Sequence, residues 1–447
     1  MSEEAEVRNR FPPPPNDLLD SNNIDSDHGN AEDSETDTGY ADENDKKLSD
    51  LVKKLPQGSD HLGQIADSLL SYFPEKWRNW MVRGIFTILM IGAFKFIVEQ
   101  GPLYLVLLVL VIQFKCFHEL IKIGLVVYRL YDLPYFRTLS WFFLFASNYF
   151  FLGENMIEVF KVIIQREQFL RFLVDYHRFI SFLLYCIGFV WFVLSLKKGY
   201  YLRQFSLFAW THVALMIIVV QSFFIIENIV QGVIWFLVPV SMIICCDVMS
   251  YVFGFFWGKT PLIKLSPKKT WEGFIGGAFS TVLFGLVFSY FLMKSRYMIC
   301  VYEDYAADPQ NCEIPVSFVL RDYKVPDGVG MVMKLLKMRP VIQYYPFLLH
   351  SLVLSLFAAI IGPFGGFFAS GFKRAFKIKD FGDIIPGHGG LMDRFDCQLL
   401  IGTFVHVYIQ TFIRSPSTAK LIHEVSKLCM DDQLKVYEYL KENLMKS

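Results

Sequence analysis

The sequence predicts an all-α, polytopic integral membrane protein with about nine transmembrane helices behind a disordered, acidic N-terminal tail. Three observations carry this expectation. Of the 447 residues, 53% are hydrophobic, and the mean hydropathy is +0.36, too apolar for a string of ordinary soluble domains. Runs such as "FSLFAWTHVALMIIVVQSFFII" (205–226) and "GFIGGAFSTVLFGLVFSYFL" (273–292) hold no Asp, Glu, Lys or Arg, and a bilayer core of roughly 30 Å takes about 20 apolar residues per helix. The alternation of a porin-type barrel is absent, which leaves helices as the way to satisfy backbone polar groups in lipid.

The tail comes first. Residues 1–50 hold 15 Asp and Glu against 4 Lys and Arg, a net of −11 in a chain whose overall charge is zero. With "PPPP" at 12–15 and few aromatics, residues 1–60 bury too little apolar surface to order themselves, and their expected place is the cytosol. The first apolar run begins near Ile85 behind Lys76, Arg78 and Arg83, so the first span is expected to act as its own uncleaved insertion signal.

Spans are expected over 84–98, 101–117, 138–152, 178–196, 205–226, 230–247, 273–292, 347–368 and 398–413. Residues 76–230 form an N-terminal group of helices, 230–413 a catalytic region, and 414–447 a C-terminal tail. The stretch 156–177 mixes apolar and charged residues at helical spacing and reads as an interfacial or packed connecting helix.

Lys and Arg near span ends orient the chain. With the N-terminus cytosolic, Arg83, Lys115, Lys122, Arg137, Lys197, Lys198 and Arg203 fall on one side. The loops 248–272 and 369–397 fall there too, while 293–346 faces the lumen with Cys300 and Cys312, which either pair or remain thiols. Nine spans place the tail with Arg414, Lys420 and Lys427 in the lumen, against the positive-inside tendency.

Chemistry concentrates in those two cytosolic loops. Asp393 and Asp396 are three residues apart, on one face of a helix starting near Leu391. Paired carboxylates suit Mg²⁺, which takes one or two of them plus substrate phosphates; the plain alternative is a helix N-terminus neutralised by Arg394. Upstream, "GHGG" brings Gly389 and Gly390, whose backbone can approach a phosphate, and "SGFKRAFKIKD" adds Lys373, Arg374, Lys377 and Lys379. Cations, backbone donors and metal-holding acids together are what handling phosphates requires. In the other loop, Asp247 ends an apolar run, where it either serves a site or marks the exit to water, and "SPKKTWEG" sets Lys268 and Lys269 beside Trp271.

The stretch Ser370 to Asp396 resembles the signature of the phosphatidate cytidylyltransferases, also called CDP-diacylglycerol synthases. It does so at Ser370, Lys373, Arg374, Lys379, Asp380, His388, Gly389, Gly390, Asp393, Arg394 and Asp396. "SPKKTWEG" followed by Gly276 and Gly277 resembles a second shared block, so the likeness covers about 230–400, and the acidic head and the 293–346 loop look like the animal form.

The resemblance implies an endoplasmic reticulum membrane enzyme that joins CTP and phosphatidate into CDP-diacylglycerol and pyrophosphate, for the synthesis of phosphatidylinositol, phosphatidylglycerol and cardiolipin. It implies Mg²⁺ on Asp393 and Asp396, with Lys268, Lys269, Lys373, Arg374, Lys379, Gly389 and Gly390 binding phosphates, and Arg394 and His388 in the catalytic set. His388 either positions a phosphate or steadies the glycine turn. Similar bacterial members carry a metal-holding aspartate four residues before the signature serine, where this chain has Gly366; Asp247 matches an acidic position of the family and is the candidate third carboxylate. A homodimer is allowed by the resemblance, and no nucleic-acid partner is expected. A CTP-dependent lipid kinase and a transporter are the rival readings.

Overall fold

The computed structural model describes residues 75–127, 134–159, 168–301, 312, 314–324, 341–382, 384, 389–413, 421–422, 425–426 and 428–446. The tail expected over 1–60, much of the 293–346 loop, His388, Arg414, Lys420 and Lys427 lie outside the described residues.

Two helices open the described chain, α1 (Glu75–Gln100) and α2 (Pro102–Val127), separated only by Gly101 at φ 119° and started again by Pro102, which lacks an N–H and so fits a first helical position. Then come α3 (Pro134–Val159), α4 (Gln168–Asp175), α5 (His177–Leu194) and α6 (Tyr201–Val230), the last containing a π turn over Met216–Val220. After α7 (Ile234–Trp257), a two-stranded hairpin of β1 (Pro261–Ile263) and β2 (Ser266–Thr270) leads into α8 (Trp271–Leu292). A second antiparallel pair, β3 (Arg321–Lys324) and β4 (Val341–Tyr344), runs in register from Arg321 opposite Tyr344 to Lys324 opposite Val341. The chain continues through α9 (Pro346–Ile360), α10 (Gly362–Ala375), α11 (Met392–Tyr408) with a π turn over Ile409–Ile413, and α12 (Met430–Lys446).

Six stretches among the described residues are long and apolar enough to cross a membrane: α2, α5, α6, α7, α8, and α9 with α10. The other expected spans, 84–98, 138–152 and 398–413, fall on α1, α3 and α11 with its π turn. One boundary differs in a way that matters. The span expected over 230–247 begins at Ile234 and runs to Trp257, because nothing in "DVMSYVFGFFW" breaks a helix, so Asp247 sits in the middle of α7. The connecting helix expected over 156–177 is shorter, since α3 reaches Val159 and α4 covers only Gln168–Asp175; residues 160–167 lie outside the described ones. Phe169 and Phe172 of α4, with Tyr176, are exposed beside an exposed Arg171–Asp175 ion pair, as suits a membrane interface.

Small residues set how closely the helices approach. Gly273, Gly277, Thr281, Gly285 and Ser289 recur every fourth position and form the buried stripe of α8. A Cβ at Gly273 would meet the Ser250 carbonyl oxygen at 2.6 Å, and one at Gly285 would meet Met242 at 2.7 Å, so α8 lies almost backbone-to-backbone on α7. On its other side the Ser289 and Ser351 hydroxyls share a hydrogen bond of 2.7 Å with α9. Helix α9 bends into α10 at Ile361 and Gly362, where Pro363 removes an N–H from the ladder. Helix α11 is tied to α6 by the Asn228 amide, which donates to the Gly402 carbonyl at 2.8 Å. Cys300 and Cys312 form a disulfide in the 293–346 loop.

Candidate active site

The end of α10 and the start of α11 meet through charge. Lys373, in the last turn of α10, donates to Asp393, in the first turn of α11, at 2.6 Å, and the Asp393 side chain is only 7% exposed. Its other oxygen accepts the backbone N–H of Phe381 at 2.9 Å and that of Gly390 at 3.3 Å. Each bond to an ionised partner is stronger than a neutral one, so Asp393 fastens the cationic end of α10 and both arms of the glycine loop.

That loop has a second anchor which the sequence reading missed. Glu119 of α2 is 3% exposed, and its two oxygens accept the N–H groups of Leu391 and Met392 at 2.9 Å each. Leu391 caps α11 without a side-chain bond, so Glu119 supplies from another helix the acceptors that a helix N-terminus leaves wanting. A Cβ at Gly382 would stand 2.5 Å from Glu119 Oε1, and one at Gly390 would stand 2.6 Å from the Gly382 backbone N and 2.9 Å from Glu119 Oε2. The glycines are therefore required by the carboxylate. Gly389 has φ 80°, and its Cβ would also press on Asp380 at 3.2 Å. The available signal was an acid inside "CFHELIKIGL", where an apolar helix has no other use for one.

The hairpin joins from the other side. Glu272 accepts the Lys259 N–H at 3.1 Å and the Thr260 hydroxyl at 2.5 Å, while the Thr270 hydroxyl accepts the Gly273 N–H at 3.2 Å, fixing the hairpin on the first turn of α8. Leu265 at its tip reaches α10, lying 3.3 Å from where a Cβ on Gly371 would be. On α7, Asp247 is within electrostatic reach of Lys269 and Arg394, and Asp396 within reach of Asp247 and Lys373. Lys268, one residue along the strand, is exposed.

The three carboxylates expected at a cation thus divide. Asp393 is engaged by Lys373 through one oxygen and by two amides through the other, so an ion drawing on it would share it with Lys373. Asp396 accepts the Cys397 N–H at 2.7 Å through Oδ1, and its Oδ2 lies 3.8 Å from where a Cβ on Gly366 would be. Gly366 is therefore beside Asp396, which has Asp247 within reach from α7. No group of three His, Cys, Asp or Glu side chains able to hold a metal occurs among the described residues. Two carboxylates do fit Mg²⁺, which fills its remaining positions with water and substrate phosphate oxygens.

Next to the Lys373–Asp393 pair is a cavity of about 530 Å³ lined by Ser370, Lys373, Arg374, Lys377, Ile378 and Lys379. Its basic lining can take phosphates. The Ser370 hydroxyl donates to the Gly366 carbonyl at 2.7 Å and the Gly390 N–H is given to Asp393, so both are committed within the protein. Burial, and after it the neighbouring Asp393 carboxylate, push the Asp380 carboxyl above its ordinary range, against the pull of Lys373, Lys379 and Arg394.

Residues 81–412 match the model of the cytidylyltransferase family. The chain is 58% identical to a phosphatidate cytidylyltransferase of Caenorhabditis elegans over 99% of its own length and 96% of the relative's. It is 52% identical to phosphatidate cytidylyltransferase 1 of Homo sapiens, covering 92% of this chain and 90% of that one. For phosphatidate cytidylyltransferase 2 of Homo sapiens the identity is 53%, with 88% of each covered.

Proposed function

This chain belongs to the cytidylyltransferase family, and from that premise we propose that it transfers the cytidylyl group of CTP to phosphatidate within a membrane. The products are CDP-diacylglycerol and pyrophosphate. The observation that carries the reading is convergence: Asp247 and Lys269, from α7 and its hairpin, and Lys373, Arg394 and Asp396, from α10 and α11, act on one another beside a basic cavity. Among the described residues six helical stretches are long and apolar enough to cross a membrane, as a multi-pass membrane protein requires. One substrate is held in lipid by its acyl chains and the other is a water-soluble polyanion, so only such an interface admits both.

In this reading a phosphate oxygen of phosphatidate attacks the α-phosphorus of CTP in line; the new P–O bond forms as the bond to the β-phosphate oxygen breaks, and pyrophosphate leaves. A phosphate monoester is nucleophilic near neutral pH, so the step needs charge control more than a strong base. Lys269, Arg374 and Lys379 neutralise phosphates, with Lys268 next to Lys269 on β2. Arg394 balances Asp247. Asp393 holds Lys373 and the glycine loop in place, and Glu119 fixes the start of α11. Asp396 and Asp247 would hold Mg²⁺, which when bound supplies positive charge to the triphosphate. Lys and Arg placement supports a cytosolic N-terminus and cytosolic motif loops, and family resemblance supports the endoplasmic reticulum membrane, downstream phospholipid synthesis and a homodimer.

The deciding experiment supplies purified protein with phosphatidate and with CTP labelled at the α-phosphorus or, in a parallel reaction, at the γ-phosphorus, with and without Mg²⁺. Label entering lipid as CDP-diacylglycerol is expected. If only γ-phosphoryl label reaches lipid, a CTP-dependent lipid kinase replaces the proposal; if neither label does and the protein instead carries substrate across sealed vesicles, a transporter does.

A further inference from the structure

Helix α10 closes on a Schellman cap. The Lys377 N–H donates to the Arg374 carbonyl at 3.1 Å and the Ile378 N–H to the Lys373 carbonyl at 3.0 Å, with the Ile378 side chain buried beneath. This cap needs a left-handed residue where the chain turns back, and glycine is its usual occupant because a Cβ there crowds the neighbouring carbonyl. Here the residue is Lys377, at φ 55°, the only non-glycine with positive φ among the described residues. Helix geometry alone would favour glycine at 377.

The cavity explains the lysine. A helix C-terminus presents the negative end of its dipole, so the space beside α10 attracts phosphate only through side-chain cations. Lys373 is paired with Asp393 at 2.6 Å. Lys377 lines the same cavity as Ser370 and Arg374. We infer that Lys377 is a substrate-phosphate residue, kept in a conformation that glycine would adopt more easily because the cavity requires its ammonium. The inference rests on the cytidylyltransferase reading. The phosphate belongs either to CTP or to phosphatidate, and the two are separated by varying one substrate at a time.

The test compares the parent protein with Lys377→Gly, Lys377→Gln and Lys377→Arg, each measured for thermal unfolding and for CDP-diacylglycerol formation against CTP and then against phosphatidate. Lys377→Gly is expected to unfold at or above the parent's temperature. Its KM for the substrate whose phosphate is bound should rise about tenfold, with kcat falling far less, as loss of one charge-assisted contact predicts. Lys377→Arg, which keeps the charge, should recover most of the lost affinity; a rise in KM confined to CTP or to phosphatidate names the phosphate. Parental KM values for both substrates in Lys377→Gly, or in Lys377→Gln should the glycine variant be unstable, overturn the assignment. A parent protein that forms no CDP-diacylglycerol overturns the functional reading itself, and the assignment falls with it.

Discussion

Two acids, Glu119 buried and Asp380 half-buried, carry opposite consequences. Glu119 accepts two backbone N–H groups from residues more than 270 positions away, so changing one of its oxygens to an NH₂ sets donor against donor. Glu119→Gln is expected to lose about 1–3 kcal/mol of stability, the cost of an unsatisfied buried group, and to slow turnover as the start of α11 drifts. Unfolding in detergent and initial rates check this, and unchanged values in both would sink the role. Asp380 works the other way. Its folded carboxyl is raised above the unfolded value by burial and by Asp393, so the folded state binds the extra proton and stability is lost as pH rises through the folded titration. Asp380→Asn should therefore melt above the parent at pH 7, and the advantage should vanish in acid where both forms are neutral. An advantage that persists in acid would show another cause.

Among the elements, α7 and α8 decide whether the hairpin can reach α10. A methyl at Gly273 meets the Ser250 carbonyl, which is backbone and cannot rotate away. Gly273→Ala should cost about 1–3 kcal/mol, as overpacking does, and should reduce turnover because Lys269 rides on the same joint as Asp247. Gly92→Ala is the control, since no atom lies within 4 Å of its Cβ position; equal losses in the two variants would deny the joint its role. The bend at Ile361 to Pro363 has a similar consequence, because it turns the apolar run of α9 into the helix that carries Ser370, Lys373 and Arg374.

Across the whole molecule, the Lys and Arg count predicts that the Cys300–Cys312 disulfide and the basic loops lie on opposite sides of the membrane. Lys264→Cys, at the exposed turn of the hairpin, should react with a membrane-impermeant thiol reagent added from the cytosolic face of sealed vesicles; labelling only from the lumen would invert the topology. Convergence of the two motif regions gives the remaining prediction. Asp396→Asn should lower turnover on the order of 10²-fold, the scale of removing one preorganised electrostatic group, and raise the Mg²⁺ concentration needed for half-maximal rate. An unaltered Mg²⁺ dependence would remove Asp396 from the ion's ligands.

Composition and the lengths of apolar runs determined the helical membrane fold, because hydrophobic burial in lipid is a local property summed over about 20 residues. The signature from Ser370 to Asp396 likewise marked the candidate site, since its residue types and spacing are written in one stretch of chain. What the sequence could not place were partners brought together by packing. That Lys373 takes Asp393, that Asp247 comes within reach of Asp396 from mid-helix, and that Glu119 holds the start of α11 depend on how closely helices approach, which glycines on one helix and side chains on another set together.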